Sequence, residues 1–227
     1  MIRSTITAAA VLAGSSAVCL YFFHQRLSSR VEHVSQSGKL GATKSRPISI
    51  ESVPDDVFTD DYVALHDRAS KSVASDALPA NVPVELLFTK LVRRNMVAFT
   101  RLPQALAMKL SSKSLEERQS FDPALINSLE FKEGDLVCGV YRVIVRNDHK
   151  VEFEMKVKGM EFLNGRLATS ISQTGDQVVI STETFMWRRS NDTRKMPLER
   201  PLVRWMHETA AWWLIDSGVD YLTNLDL

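Results

Sequence analysis

Lys150-Val151-Glu152-Phe153-Glu154-Met155-Lys156-Val157-Lys158 is the stretch from which the fold is read. Charged and apolar residues alternate along it, so Val151, Phe153, Met155 and Val157 share one face of a strand and the charges take the other. A run rich in β-branched residues, Leu136 to Arg146, precedes it across the turn Asn147-Asp148-His149 and reads as its hairpin partner. Further strands are expected at Glu161–Ser172 and Val178–Arg188, joined through Thr174-Gly175-Asp176. The spacing predicts an antiparallel meander of at least four strands.

Outward from the meander the period changes from two to 3.6. Pro201 opens a long helix to about Leu222, on which Leu202, Val203, Trp205, Met206, Ala210, Trp212, Trp213 and Leu214 cover one broad face. Arg204, His207, Glu208 and Ala211 form a narrower polar face. On the N-terminal side, Asp61 to Asp67 reads as a short first strand. Leu87, Leu91, Met96 and Phe99 recur at helical spacing, and Pro103 suits the first turn of a second helix, Gln104 to Leu110.

The chain has 227 residues, of which 44% are hydrophobic and 24% charged, which excludes a wholly disordered or collagenous protein. Two cysteines, Cys19 and Cys138, exclude a disulfide framework, a Cys-rich zinc site and an iron–sulfur site. The net charge of +1 hides an asymmetry: residues 1–50 carry six Lys/Arg and one acid, whereas the rest carries 22 basic and 26 acidic residues. A mildly acidic domain argues against nucleic acid as a partner.

Ser4 to Phe23 is 20 residues without a charge, ends in the apolar Val18-Cys19-Leu20-Tyr21-Phe22-Phe23, and is followed by Arg26 and Arg30. About 20 such residues span a bilayer core. The segment therefore reads as a single-pass membrane anchor through residues 4–23, with the domain facing the cytosol under the positive-inside rule, at the endoplasmic reticulum or a similar membrane. Two rivals stay open: a mitochondrial presequence, since the first 31 residues hold three Arg and no acid, and a signal peptide cleaved near Ser15-Ser16-Ala17. The polar stretch that follows, with Gly38 and Gly41, reads as a linker. The division expected is an anchor over 1–27, a linker over 28–55 and a domain over 56–227.

This order of elements resembles the SRPBCC superfamily, the START-like helix-grip fold of lipid-transfer domains and polyketide cyclases. The segments that carry the resemblance are Pro83-Val84-Glu85-Leu86-Leu87-Phe88 through Pro103, Gly159-Met160-Glu161-Phe162-Leu163-Asn164-Gly165, and Pro197 to Tyr221, within residues 60–225. The resemblance implies an α+β fold in which an antiparallel meander wraps around the long C-terminal helix, here preceded by a transmembrane helix. It also implies a hydrophobic small-molecule ligand (polyketide, lipid or sterol). A hot-dog fold is the rival, but its dominant helix comes early in the chain.

No nucleophile elbow, P-loop, His-Glu-x-x-His or dinucleotide fingerprint is present, so no cofactor and no metal are expected. His207, at the edge of the apolar face, suits acid–base work on a carbonyl compound. Asp216 falls inside the apolar arc, where a carboxylate needs either a basic partner (Arg142, Arg166 or Arg189) or a cavity in which it stays protonated. Arg166 and Glu161 are the expected orienting groups. Tyr141, Phe153, Phe185, Trp187, Trp205 and Trp213 are the expected lining of the ligand site. Taken with the resemblance, these residues imply an enzyme that cyclises or lactonises a polyketide-type substrate. A non-catalytic lipid carrier and an interaction adaptor with a filled core are the alternatives.

Overall fold

The computed structural model describes residues 18–39 and 48–225. It contains strands β1 (Glu32–Gly38), β2 (Tyr62–Ala74), β3 (Leu136–Val137), β4 (Tyr141–Asn147), β5 (Lys150–Met155), β6 (Asn164–Thr174) and β7 (Gln177–Arg189). Helix α1 occupies residues 18–28. It is followed by α2 (Val84–Phe99), α3 (Pro103–Ser111), α4 (Leu115–Gln119), α5 (Pro123–Ser128) and α6 (Pro201–Thr223). The strands form one seven-stranded antiparallel sheet in the order β1-β2-β7-β6-β5-β4-β3.

The alternation over residues 150–155 becomes β5, with Val151 and Phe153 buried on one face and Glu152 buried on the other. That strand stops at Met155, three residues before its sequence pattern does, because the chain turns through Val157–Met160 to begin β6. The run 136–146 is broken into β3 and β4 at Cys138 and Gly139, whose φ angles of +50° and +72° no strand accommodates. The first strand is much longer than Asp61–Asp67, running 13 residues as β2.

One face of the sheet packs against helices. Val143, Val151, Phe153, Ile171 and Ile180 meet Phe88, Leu91 and Val92 of α2 and Trp212, Ile215 and Val219 of α6. Helix α6 lies against β2 and β7 and alongside α2, which reaches β6. Its buried stripe, Trp212, Ile215, Asp216, Val219 and Leu222, follows the helical repeat. Gly218 permits the close approach of α2, since a Cβ there would stand 2.9 Å from Leu91 Cδ1. Leu202 and Val203 are exposed, so the first turn of α6 does not join the apolar face expected of it. Phe88, Leu91 and Phe153 are fully buried, so side chains of α2 and β5 occupy the space between the sheet and the helices.

The other face is covered by residues 48–58. Ile48, Ile50, Val53 and Val57 pack on Ala64, Ala168, Phe185 and Trp187. Two buried carboxylates pin this cover. Glu152 accepts from the Glu51 and Ser52 backbone amides at 2.8 and 2.9 Å, and Glu183 accepts from Ser49 N at 3.1 Å and from His66 Nε2 at 2.7 Å. Residues 28–55, expected as a linker, thus contain β1 and part of this cover.

The expected transmembrane helix requires correction. No helix among the described residues is long and apolar enough to cross a membrane. Residues 4–17 of the expected span lie outside the described residues. The C-terminal part of α1 is committed to the domain, since Leu27 is buried and His24 packs on Trp205 and Trp212 at centroid distances of 5.1 and 4.6 Å, whereas Val18, Leu20, Tyr21, Phe22 and Phe23 are exposed. The chain leads directly into β1, paired with β2 in a seven-residue register. With no spanning helix among the described residues, the single-pass anchor and the membrane localisation are overturned, and the membrane partnership through residues 4–23 is left without support.

Candidate functional site

Strand β1, strand β2 and helix α6 bring four chemically active side chains together. In the register His33 lies opposite Ala69 and Ser35 opposite Asp67, so the imidazole on β1 reaches a carboxylate diagonally across the pair. His33 Nε2 is 2.8 Å from Asp67 Oδ2. From the helix above, His207 Nε2 stands 3.3 Å from Asp67 Oδ1. Glu208, the next residue on α6, accepts from Arg204 Nε at 3.0 Å, one helical turn back. Arg204 is itself held by Ser35 Oγ at 2.7 Å.

Asp67 is 3% exposed, and burial alone would push its carboxyl up. The hydrogen-bonding and charge contributions of His207 and His33 outweigh burial and hold it well below the usual carboxylate range. A buried anion flanked by two imidazoles orients both rings. His207 Nε2 and Trp212 Nε1 are buried, and apart from the 3.3 Å approach of His207 to Asp67 neither has a hydrogen-bond partner among the described residues. A third imidazole, His24, donates to or accepts from Thr209 Oγ1 at 2.7 Å, and burial lowers its pKa while Glu208 opposes the shift. With Trp205 and Trp212 it forms an aromatic wall beside the cluster, and the edge of His33 packs on Trp212 at 4.9 Å. Among the described residues, His33, Asp67 and Glu208 each offer one ligand atom within 4.8 Å of the others, a donor set able to hold a metal ion.

The expected site residues are distributed over several places. His207 is in this cluster. Asp216 sits nine residues further along α6, paired with Lys71 Nζ at 2.6 Å and Arg30 Nε at 3.2 Å rather than with Arg142, Arg166 or Arg189. Arg166 lies on the opposite face of the sheet, over the Trp187 ring at 5.3 Å and 3.5 Å from Glu154. Glu161 is in the exposed turn before β6, where it accepts from the Gly159 amide at 3.0 Å. Of the aromatic residues, Tyr141 and Phe153 pack edge to face in the helix-side core. Phe185 and Trp187 belong to the covered opposite face. Trp205 joins the aromatic wall beside His24. Trp213 lines an open groove of about 480 Å³ with Lys90, Arg93, Arg94 and Arg101. A second groove, about 510 Å³, brings Glu161 and Trp187 together with Tyr62, Phe162, Arg189 and Arg194.

His33 and Asp67 are the functional candidates that sequence reading does not find. His33 falls in a stretch without period. Asp67 carried a signal that was available: in the alternation Val63-x-Leu65-x-Asp67 it shares a strand face with two apolar residues.

Fold and site together define an α+β protein whose seven-stranded antiparallel sheet and long C-terminal helix bring together a His–Asp–His arrangement centred on a buried carboxylate. No protein-family model matches the chain, and no curated protein matches it. Among solved structures it is similar to CalU16 from Micromonospora echinospora, at 9% identity over 86% of each chain with a TM-score of 0.37. A superposition at that level transfers neither site nor function.

Proposed function

We propose that the protein is an enzyme that binds a hydrophobic carbonyl compound and cyclises it by proton transfer at His207. The observation that carries this reading is Asp67, a nearly inaccessible carboxylate facing His207 from β2 and His33 from β1. A base needs its conjugate acid stabilised, and the Asp67 charge beside the His207 ring supplies that. The His207 side chain is 25% exposed, and with Nε2 buried against Asp67 the other ring nitrogen, Nδ1, is the one that meets a substrate. Trp205 and His24, backed by the buried Trp212, offer an apolar surface for the body of the substrate. Because the interior between sheet and helices is filled, the substrate lies at the rim of α6 rather than beneath it. A polyketide-type compound is the substrate class, in keeping with the order of elements that resembles the polyketide cyclases.

The filled interior also favours a second reading, a non-catalytic interaction module. One assay separates the two. The full-length chain is incubated with a synthetic linear poly-β-ketone thioester, and the cyclised product is followed by mass spectrometry against the spontaneous reaction. Acceleration that falls by about 100-fold or more in His207→Ala supports the enzyme, this being the size of effect expected from a lost acid–base group. Equal rates with and without protein, or an unaffected His207→Ala, overturn it.

A further inference from the structure

We infer that His33, Asp67 and Glu208 bind a single divalent transition-metal ion. The inference rests on the reading of this cluster as the functional site. Three elements that are distant in sequence, β1, β2 and α6, deliver one donor each, and the three ligand atoms lie within 4.8 Å of one another. Metal–nitrogen and metal–oxygen bonds of about 2.0–2.2 Å place neighbouring ligands of one ion roughly 3 Å apart. The 2.8 Å between His33 Nε2 and Asp67 Oδ2 is of that order.

Charge supports the same conclusion. Asp67 is met by two histidines and, among the described residues, by no lysine or arginine. A carboxylate this buried needs a counter-charge. Arg204 pairs with the neighbouring Glu208, so one of the two acids remains without a permanent cation. A dication between them supplies it. It replaces the proton that His33 Nε2 shares with Asp67, and that proton, where present, leaves to solvent.

The donor set identifies the class of ion. One imidazole and two carboxylates without thiolate exclude copper(I) and iron–sulfur chemistry, and an imidazole among three donors favours zinc, manganese or iron over calcium or magnesium. The surroundings have the support that metal ligands use. Ser35 and Arg204 fix the Glu208 carboxylate in series, at 2.7 and 3.0 Å, and Trp212 packs against His33. His33 and Glu208 are 21% and 15% exposed on their side chains, which leaves a path for entry. His207 remains outside the three-donor set, beside Asp67.

The test uses the full-length chain, stripped with chelator, dialysed and titrated calorimetrically with Zn²⁺. Co²⁺ binding is followed in parallel by its visible ligand-field absorption. The expected result is uptake of one equivalent per chain, with affinity lowered by about 10-fold or more in His33→Ala and in Glu208→Gln. Thermal melts of both metal-free variants establish that they are folded. Glu208→Gln keeps size and polarity at a partly exposed position, so it reports on the ion even if His33→Ala fails to fold. No stoichiometric uptake by the wild type, or uptake unchanged in the folded variants, overturns the inference. The titration contains no substrate, so its failure removes the ion without deciding proton transfer at His207. A chain that takes up Zn²⁺ but does not accelerate cyclisation gives the reverse outcome.

Discussion

Lys71 Nζ on β2 lies 2.6 Å from Asp216 Oδ1 on α6, 145 residues away in sequence, and Arg30 Nε approaches the same oxygen at 3.2 Å. The Asp216 side chain is 8% exposed and that of Lys71 17%, so the pair is shielded from solvent. It fastens the long helix to the sheet about 13 Å along the helix axis from His207, at 1.5 Å per residue. Asp216→Asn leaves the lysine with only the more exposed Asp220, at 3.5 Å, as its counter-charge. The expected loss in unfolding free energy is about 3 kcal/mol, the low end for breaking a buried pair, measured by urea denaturation. A loss below about 1 kcal/mol would show that the pair does not hold the helix, and would reopen a chemical role for Asp216.

Removing residues 1–46 tests whether the N-terminal segment belongs to the domain. The deletion takes away β1, the buried side chains of Leu27 and Val31, and His33. The two apolar side chains contribute about 1.5–3 kcal/mol each. The deletion also exposes the edge of β2, a 13-residue strand open to pairing with other chains. The truncated protein is expected to unfold at lower urea concentration and to self-associate on size exclusion. A monomer with wild-type stability would mean that α1 and β1 are accessory.

The meander and the long helix were legible because local rules dominate there. Residues 150–155 alternate, and the buried stripe of α6 follows the helical repeat. Asp216 was also legible as a carboxylate that needs a partner, but not which one, because Lys71 reaches it only after β2 and α6 are packed. The N-terminus was misread for a related reason. Apolar residues 18–23 look like part of a span when only hydropathy is counted, yet Leu27 and Val31 face the core and His24 reaches Thr209. The cover over residues 48–58 has no period because its order comes from Glu152 and Glu183 on other strands. The candidate site was half visible: His207 stood on the edge of its helix, but its partners His33 and Asp67 are brought in by strand register.

The two cysteines should differ sharply in reactivity. Burial raises the Cys138 thiol to about 12, so almost none is thiolate at neutral pH, and the side chain is inaccessible. Cys19 is exposed on α1. Titration of the native chain with a thiol-specific chromogenic disulfide at pH 8 is expected to report one fast equivalent, and two in denaturant. Two fast equivalents from native protein would show that the β3–β4 turn opens readily.

The buried Glu183–His66 pair makes a prediction about acid. Burial pushes the Glu183 carboxyl up, but hydrogen bonds from His66 and Ser49 and the charge of His66 outweigh it, so the net shift is downward. A carboxylate whose folded pKa is depressed contributes stability that is fully present above its unfolded value, about 4.3 for glutamate, and is lost as pH falls through the folded value. Glu183→Gln lacks this contribution at every pH, while Asp67 and the other acids titrate in both proteins and largely cancel in the difference. The gap in unfolding free energy between wild type and Glu183→Gln should therefore be greatest near pH 5 and narrow towards pH 3, followed by urea melts at about pH 3, 4 and 5. A gap that stays constant or widens on acidification would mean that Glu183 is not an ionised anchor of the segment covering the sheet.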